Sequence, residues 1–192
     1  MMAFPNPGSR HALEDAFFRN VDTMILGRFQ NEADRDSAKQ ALATATGLSD
    51  SVLLRELVQL GITPPGLIAL HLAPLVLVAW AQEGVSDSER KQIIRNSHQY
   101  GIHHGSMASL LLNHWLNHRP PATLYDAWKR FTLNELSQLG NRPRLKLVRL
   151  IEEQMITVAK SSGGHFGFGK ISAAEQRLID RVKSVLHDAT VE

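Results

Sequence analysis

Three acidic side chains, Glu83, Asp87 and Glu89, fall within seven residues of one another. Carboxylate oxygens are the ligands that hard cations prefer, so this cluster points to Ca²⁺, Mg²⁺ or Mn²⁺, with Zn²⁺ a poorer match. The spacing is not that of an EF-hand loop. Ser86-Asp87-Ser88-Glu89 also reads as a capping box, in which the serine oxygen accepts from the N3 amide and the glutamate reaches back to the serine amide. Glu89 is explained by that box. Asp87 is not needed for it and suits the positive end of a helix dipole, which leaves Glu83 and Asp87 as the leading ligands and Glu89 as a secondary one.

A second constellation is basic. Five of the nine histidines lie between His98 and His118. His114 and His118 are four residues apart, a spacing that puts two imidazoles on one helix face and can hold zinc or nickel. The intervening residues, Trp115-Leu116-Asn117, supply no glutamate of the His-Glu-x-x-His kind, so a further ligand must come from His103, His104 or elsewhere in space. That arrangement is the basis of an alternative reading, a metal-dependent enzyme. No catalytic triad is identifiable, because no Gly-x-Ser-x-Gly elbow singles out a serine.

Gly164-His165-Phe166-Gly167-Phe168-Gly169-Lys170 resembles a phosphate-binding loop in outline only. Ile171 stands where Ser or Thr should meet Mg²⁺, and the segment follows a helical pattern rather than a strand. No cofactor is therefore assigned to it. The expectation is a glycine-permitted backbone path that presents Phe166 and Phe168 to the core or to a protein partner.

The elements that position these residues repeat. Val85-Ser86-Asp87-Ser88-Glu89-Arg90-Lys91-Gln92-Ile93 aligns with Ile171-Ser172-Ala173-Ala174-Glu175-Gln176-Arg177-Leu178-Ile179 at an offset of 86 residues. Both copies carry Ser-x-x-Glu after an apolar helix and a glycine-containing loop, so an internally duplicated helix-loop-helix is expected. Val85 and Ile171 sit at N′, the place of a hydrophobic staple.

The segment Val78-Ala79-Trp80-Ala81-Gln82-Glu83-Gly84-Val85-Ser86-Asp87-Ser88-Glu89 resembles the signature of TerB-like proteins, named for bacterial tellurite-resistance clusters. In that family a helix ends in Ala-x-Ala-Asp-Gly or similar, and the next helix begins after a small apolar residue with a glutamate a turn later. Residues 158–172 are similar to the second half of a poorly characterised bacterial branch of that group, and the resemblance spans about residues 65–188. It implies an all-helical fold, a role in stress or metalloid-associated systems, and an acidic cation site. Glu83 stands where the family more often has aspartate, and the second copy has no acid at that position.

Elsewhere the hydrophobic spacing is helical, and no segment shows the alternation of a half-buried strand. The expectation is an all-α compact bundle of about eight helices. The first opens near Ser9 and runs past Phe17, Val21, Met24, Ile25 and Phe29. Residues 1–62 read as an N-terminal helical extension and 63–192 as the TerB-like domain, the two forming one compact unit. The sixteen-residue apolar stretch from Gly66 to Ala81 is interrupted by His71 and Pro74 and is too short to span a bilayer comfortably, so no membrane insertion is expected. It reads instead as a buried helix kinked at Pro74.

Composition sets the bounds. The chain has 192 residues, 43% hydrophobic and 21% charged, and no cysteine. Disulfides, thiolate zinc sites, iron–sulfur clusters and cysteine nucleophiles are excluded, and any metal must be held by carboxylates or imidazoles. The formal charge of +2 divides into 9 basic against 11 acidic side chains in residues 1–96 and 12 against 8 in residues 97–192. Arg142, Arg144, Lys146 and Arg149 are the densest basic group and read as a solvated helix start. Nucleic acid is not an expected partner, because it would need a basic face or stripe. The N-terminus has neither the charged nor the apolar region of a secretory signal, so a cytoplasmic location is the default expectation.

Overall fold

The computed structural model describes residues 32–161 and 171–190. Among these residues there are eight α-helices, one 3₁₀ segment and no strand. The helices are α1 (Glu32–Thr46), α2 (Ser51–Gln59), α3 (Ala73–Ala79), α4 (Asp87–Gln99), α5 (Met107–Asn117), α6 (Thr123–Gln138), α7 (Asn141–Ser161) and α8 (Ala173–Asp188), with the 3₁₀ segment at Pro64–Leu72. The all-α expectation holds. The helix expected from Ser9 lies outside the described residues, as does the loop that carries Phe166 and Phe168.

Local chemistry sets the helix ends. Asp50 caps α2, its Oδ1 accepting from the amides of Val52 at 2.9 Å and Leu53 at 3.1 Å. The helix closes in a Schellman turn: the amide of Ile62 reaches the carbonyl of Leu57, and that of Gly61 reaches Val58. Gly61 sits at φ 73° to make this turn, a left-handed conformation that costs a residue without a Cβ nothing. The same motif ends α4, where Gly101 at φ 71° precedes Ile102. Both isoleucines that follow are buried, so each turn points its next side chain into the core.

The apolar stretch around Pro74 differs from the expected kinked helix. Residues 64–72 are 3₁₀, and Pro74 lies at the start of α3 rather than in mid-helix. The reason is the missing amide. Pro74 has no N–H for the carbonyl of Leu70, which accepts from the amide of Ala73 instead. That bond is the tighter i to i+3 pattern, and it runs back over nine residues, long for this kind of helix.

α3 is the hub of the bundle. Leu75, Val76 and Val78 are fully buried, each a contribution of about 1.5–3 kcal/mol. α3 packs against α7 and α8 as well as α4, and α4 packs on α7. The duplicated units, α3 with α4 and α7 with α8, are thus interlocked, each unit's first helix lying against the other unit's second. The part of the chain read as an extension shares this core, since Leu42, Leu53, Leu57 and Ile62 belong to the same buried cluster as Leu75 and Val182.

Candidate functional site

Both expected capping boxes form. Oε2 of Glu89 accepts from the amide of Ser86 at 2.8 Å and from its hydroxyl at 2.7 Å, while the amide of Glu89 donates to Oγ of Ser86 at 3.3 Å. At the second copy, Oε2 of Glu175 accepts from the amide of Ser172 at 2.6 Å, and the amide of Glu175 donates back at 3.2 Å. Val85 and Ile171 pack on the core beside them. The N4 residues are Arg90 and Gln176, so these side chains meet the core rather than an apolar N4 partner.

The two glutamates are unusual in being buried. Glu89 is 3% exposed and Glu175 is 0% exposed. Oε1 of Glu175 has no hydrogen-bond partner, and among the described residues no basic side chain forms an ion pair with either carboxylate. Burial raises the pKa of Glu89 above its ordinary value, against the two hydrogen bonds from Ser86, and the charge of Glu175 raises it further. The duplication therefore brings two buried carboxylates into electrostatic contact at the starts of α4 and α8, where the positive ends of both helix dipoles favour negative charge.

The other acidic candidates stand apart from this pair. Glu83 lies in the loop before α4 and Asp87 at its first position, and both side chains are exposed. Among the described residues no group of three or more His, Asp or Glu side chains is arranged to hold a metal ion. Glu175, whose spacing from Ser172 marks it only as a cap, is the buried counterpart of Glu89. Its signal was the repeat itself, once the two capping glutamates are placed across the interlocked units.

The histidines do not converge. His103 and His104 are exposed in the loop before α5, whereas His118 caps its far end, about 16 Å away along an eleven-residue helix. The rings of His114 and His118 stack with centroids 5.0 Å apart and planes at 29°. Stacked rings present faces to each other, not lone pairs to a shared point.

Three long side chains fasten the helix ends around the acidic loop. Nε1 of Trp80 donates to the carbonyl of Trp115 at 2.8 Å and Nη2 of Arg90 to that of Leu116 at 2.8 Å, which satisfies carbonyls at the end of α5. Arg119 returns the bond, donating to the carbonyl of Trp80 at 3.1 Å. Burial lowers the pKa of Arg90, and the charge of Asp87 opposes that shift.

A second polar cluster escaped the sequence reading. Nε2 of His71, in the 3₁₀ segment, stands 2.9 Å from Oε2 of Glu135 on α6, an oxygen that has no other partner. Nδ1 lies 3.3 Å from the carbonyl of Ile68. The ring stacks on Tyr100 at 5.8 Å and meets the edge of Phe131 at 5.7 Å. Burial pushes the imidazole down, but the hydrogen bond and charge of Glu135 outweigh it, so the pKa of His71 lies above 6.5. The hydroxyl of Tyr100 donates to Gln154 at 3.0 Å, and burial pushes that phenol up to about 12. The available signal was one histidine inside an apolar run.

No protein-family model matches the chain, and no curated protein or solved structure matches it.

Proposed function

We propose that this chain is a helical binding and scaffold module that takes a divalent cation at the paired capping boxes, with Glu89 and Glu175 as its protein ligands. The observation that carries this is the fully buried Oε1 of Glu175, which lacks a partner beside a second buried carboxylate. An unpaired carboxylate removed from water is costly, and a cation between two of them offsets that cost. Carboxylate oxygens suit hard cations, Mg²⁺ first, with Ca²⁺ and Mn²⁺ as the other candidates. Glu83 and Asp87, exposed beside the same helix start, add negative potential at the approach. A role in a bacterial stress or metalloid-associated response rests on the TerB-like resemblance, and a partner contact at Phe166 and Phe168 rests on the sequence of that loop alone.

The test is thermal unfolding and calorimetry with Mg²⁺, Ca²⁺, Mn²⁺ and Zn²⁺ at pH 7.5, for the wild-type chain and for Glu175→Gln. A ligand at a hundred times its Kd stabilises a folded protein by about 2.7 kcal/mol. The expected result is a saturable rise in melting temperature for a hard cation, lost in Glu175→Gln. No heat and no shift with any of the four would sink the cation reading. For the partner contact, replacing Phe166 and Phe168 together by Ser is expected to abolish partner capture with melting unchanged, and retained capture would count against it.

A further inference from the structure

We infer that the cavity beside His71 and Glu135 is a binding site for a small organic ammonium ion with a hydrophobic body. The cavity is a cleft open to solvent, with a volume of about 530 Å³ between the end of α1, the 3₁₀ segment, α6 and α7, within the usual range for small-molecule sites. Leu48, Leu67, Phe131 and Leu147 supply apolar wall, and no lysine or arginine among the described residues lines it.

The polar groups set the sign of the ligand. Both nitrogens of His71 are engaged inside the protein, one with Ile68 and one with Glu135. The ring therefore has no N–H left to offer an anion. Glu135 has used only Oε2; its side chain is 32% exposed, and Oε1 makes no hydrogen bond or ion pair with the described residues. That leaves a free carboxylate acceptor at the cavity. The imidazolium and the Glu135 carboxylate form a net-neutral pair, so what remains at the cavity is the free acceptor Oε1, as the outer end of that pair's dipole, and the carbonyl end of α1. Thr46, Gly47 and Leu48 bring that helix end into the wall, and its last turn carries no basic side chain to neutralise the dipole. Acceptors without mobile cations, set in an apolar wall, select a donor cation attached to a hydrophobic group. A carboxylate of the same shape finds no charged donor, only the carboxamides of Asn134 and Gln138, and is repelled by Oε1 and the helix end, so it binds more weakly than the ammonium.

The experiment uses the full chain at pH 7.5 with phenethylamine as probe, and 3-phenylpropionate and Nα-acetyl-lysine amide as comparators. Binding is followed by calorimetry and by the ring resonances of His71. The expected outcome is saturable binding of phenethylamine with a shift of the His71 signals, at least tenfold weaker binding of 3-phenylpropionate, and at least a tenfold loss in Glu135→Gln. Leu147→Trp keeps the carboxylate and fills the cavity, so it is expected to block the amine while the fold persists. Equal binding of the anion overturns the inference, as does undiminished binding in either variant that keeps its fold. Tighter binding of the lysine amide would assign the site to a lysine side chain of a partner instead and overturn the small-molecule reading.

Discussion

The guanidinium of Arg144 donates through Nη1 to the carbonyl of Ala189 at 3.1 Å, joining the first turn of α7 to the residue that caps α8. The same group donates through Nε to Leu136 at 3.0 Å and through Nη2 to Leu139 at 3.2 Å. One side chain thus satisfies carbonyls at the ends of two helices, α6 and α8, which a planar fork of donors can do and a point charge cannot. Arg144→Ala is expected to lose about 2–3 kcal/mol, a fall in melting temperature of about 4–12 °C for a chain of this size. Arg144→Lys should recover less than half. Chemical denaturation of the three proteins checks this, and a lysine variant equal to wild type would refute the fork.

The capping boxes separate hydrogen bonding from charge. Ser86→Ala and Ser172→Ala are each expected to cost about 1 kcal/mol, and the double variant to show the sum within about 0.5 kcal/mol if the two caps act independently.

Glu175→Gln tests the charge alone, because glutamine can still close the box. With its pKa raised in the fold, Glu89 contributes stability that is complete below about 4.5 and is lost as pH rises through its folded value. Removing the Glu175 charge lowers that folded value. The variant should therefore gain on wild type at neutral pH without added cation, and the gain should vanish in acid. Urea midpoints at pH 4 and pH 7.5 measure it.

His71 shows the same linkage, with the same sign, in a higher pH window. Its folded pKa lies above 6.5 through Glu135, so the pair's stabilisation is complete below 6.5 and is lost as pH rises through the folded value. His71→Gln should flatten that part of the stability profile between pH 6 and 8.5. An unchanged slope would mean that the imidazole is not held charged by Glu135.

Tyr100→Phe removes the donor to Oε1 of Gln154, a side chain only 5% exposed. The expected cost is about 1–2 kcal/mol, because a buried acceptor loses its partner. Ultraviolet titration should show a phenol ionising near 12 in wild type and missing from the variant.

What was legible in the sequence was what is local. Ser86 with Glu89 and Ser172 with Glu175 lie three residues apart, so both boxes could be read before any packing was known. Gly61 and Gly101 end their helices for reasons contained in six residues of chain. Long-range partners were hidden. Arg142, Arg144, Lys146 and Arg149 look alike in the sequence, yet among the described residues only Arg144 is tied to carbonyls, one of them 45 residues away. His71 and Glu135 meet across 64 positions of chain, and neither carries a local motif. Pro74 was read correctly as an interruption, but whether a helix bends or restarts at a proline depends on where the carbonyl of Leu70 finds its bond.

The interlocking of the two units also has a consequence in time. The apolar helix α3, Ala73–Ala79, is covered largely by α7 and α8, which are made far later in the chain. At 5–20 residues per second, α7 is complete only about 4–16 s after α3 leaves the ribosome's decoding centre. Through that interval a helix whose Leu75, Val76 and Val78 are fully buried in the finished fold must wait for its cover. Nascent chains halted after residue 120 should therefore depend on holdase chaperones in a way that the finished protein does not.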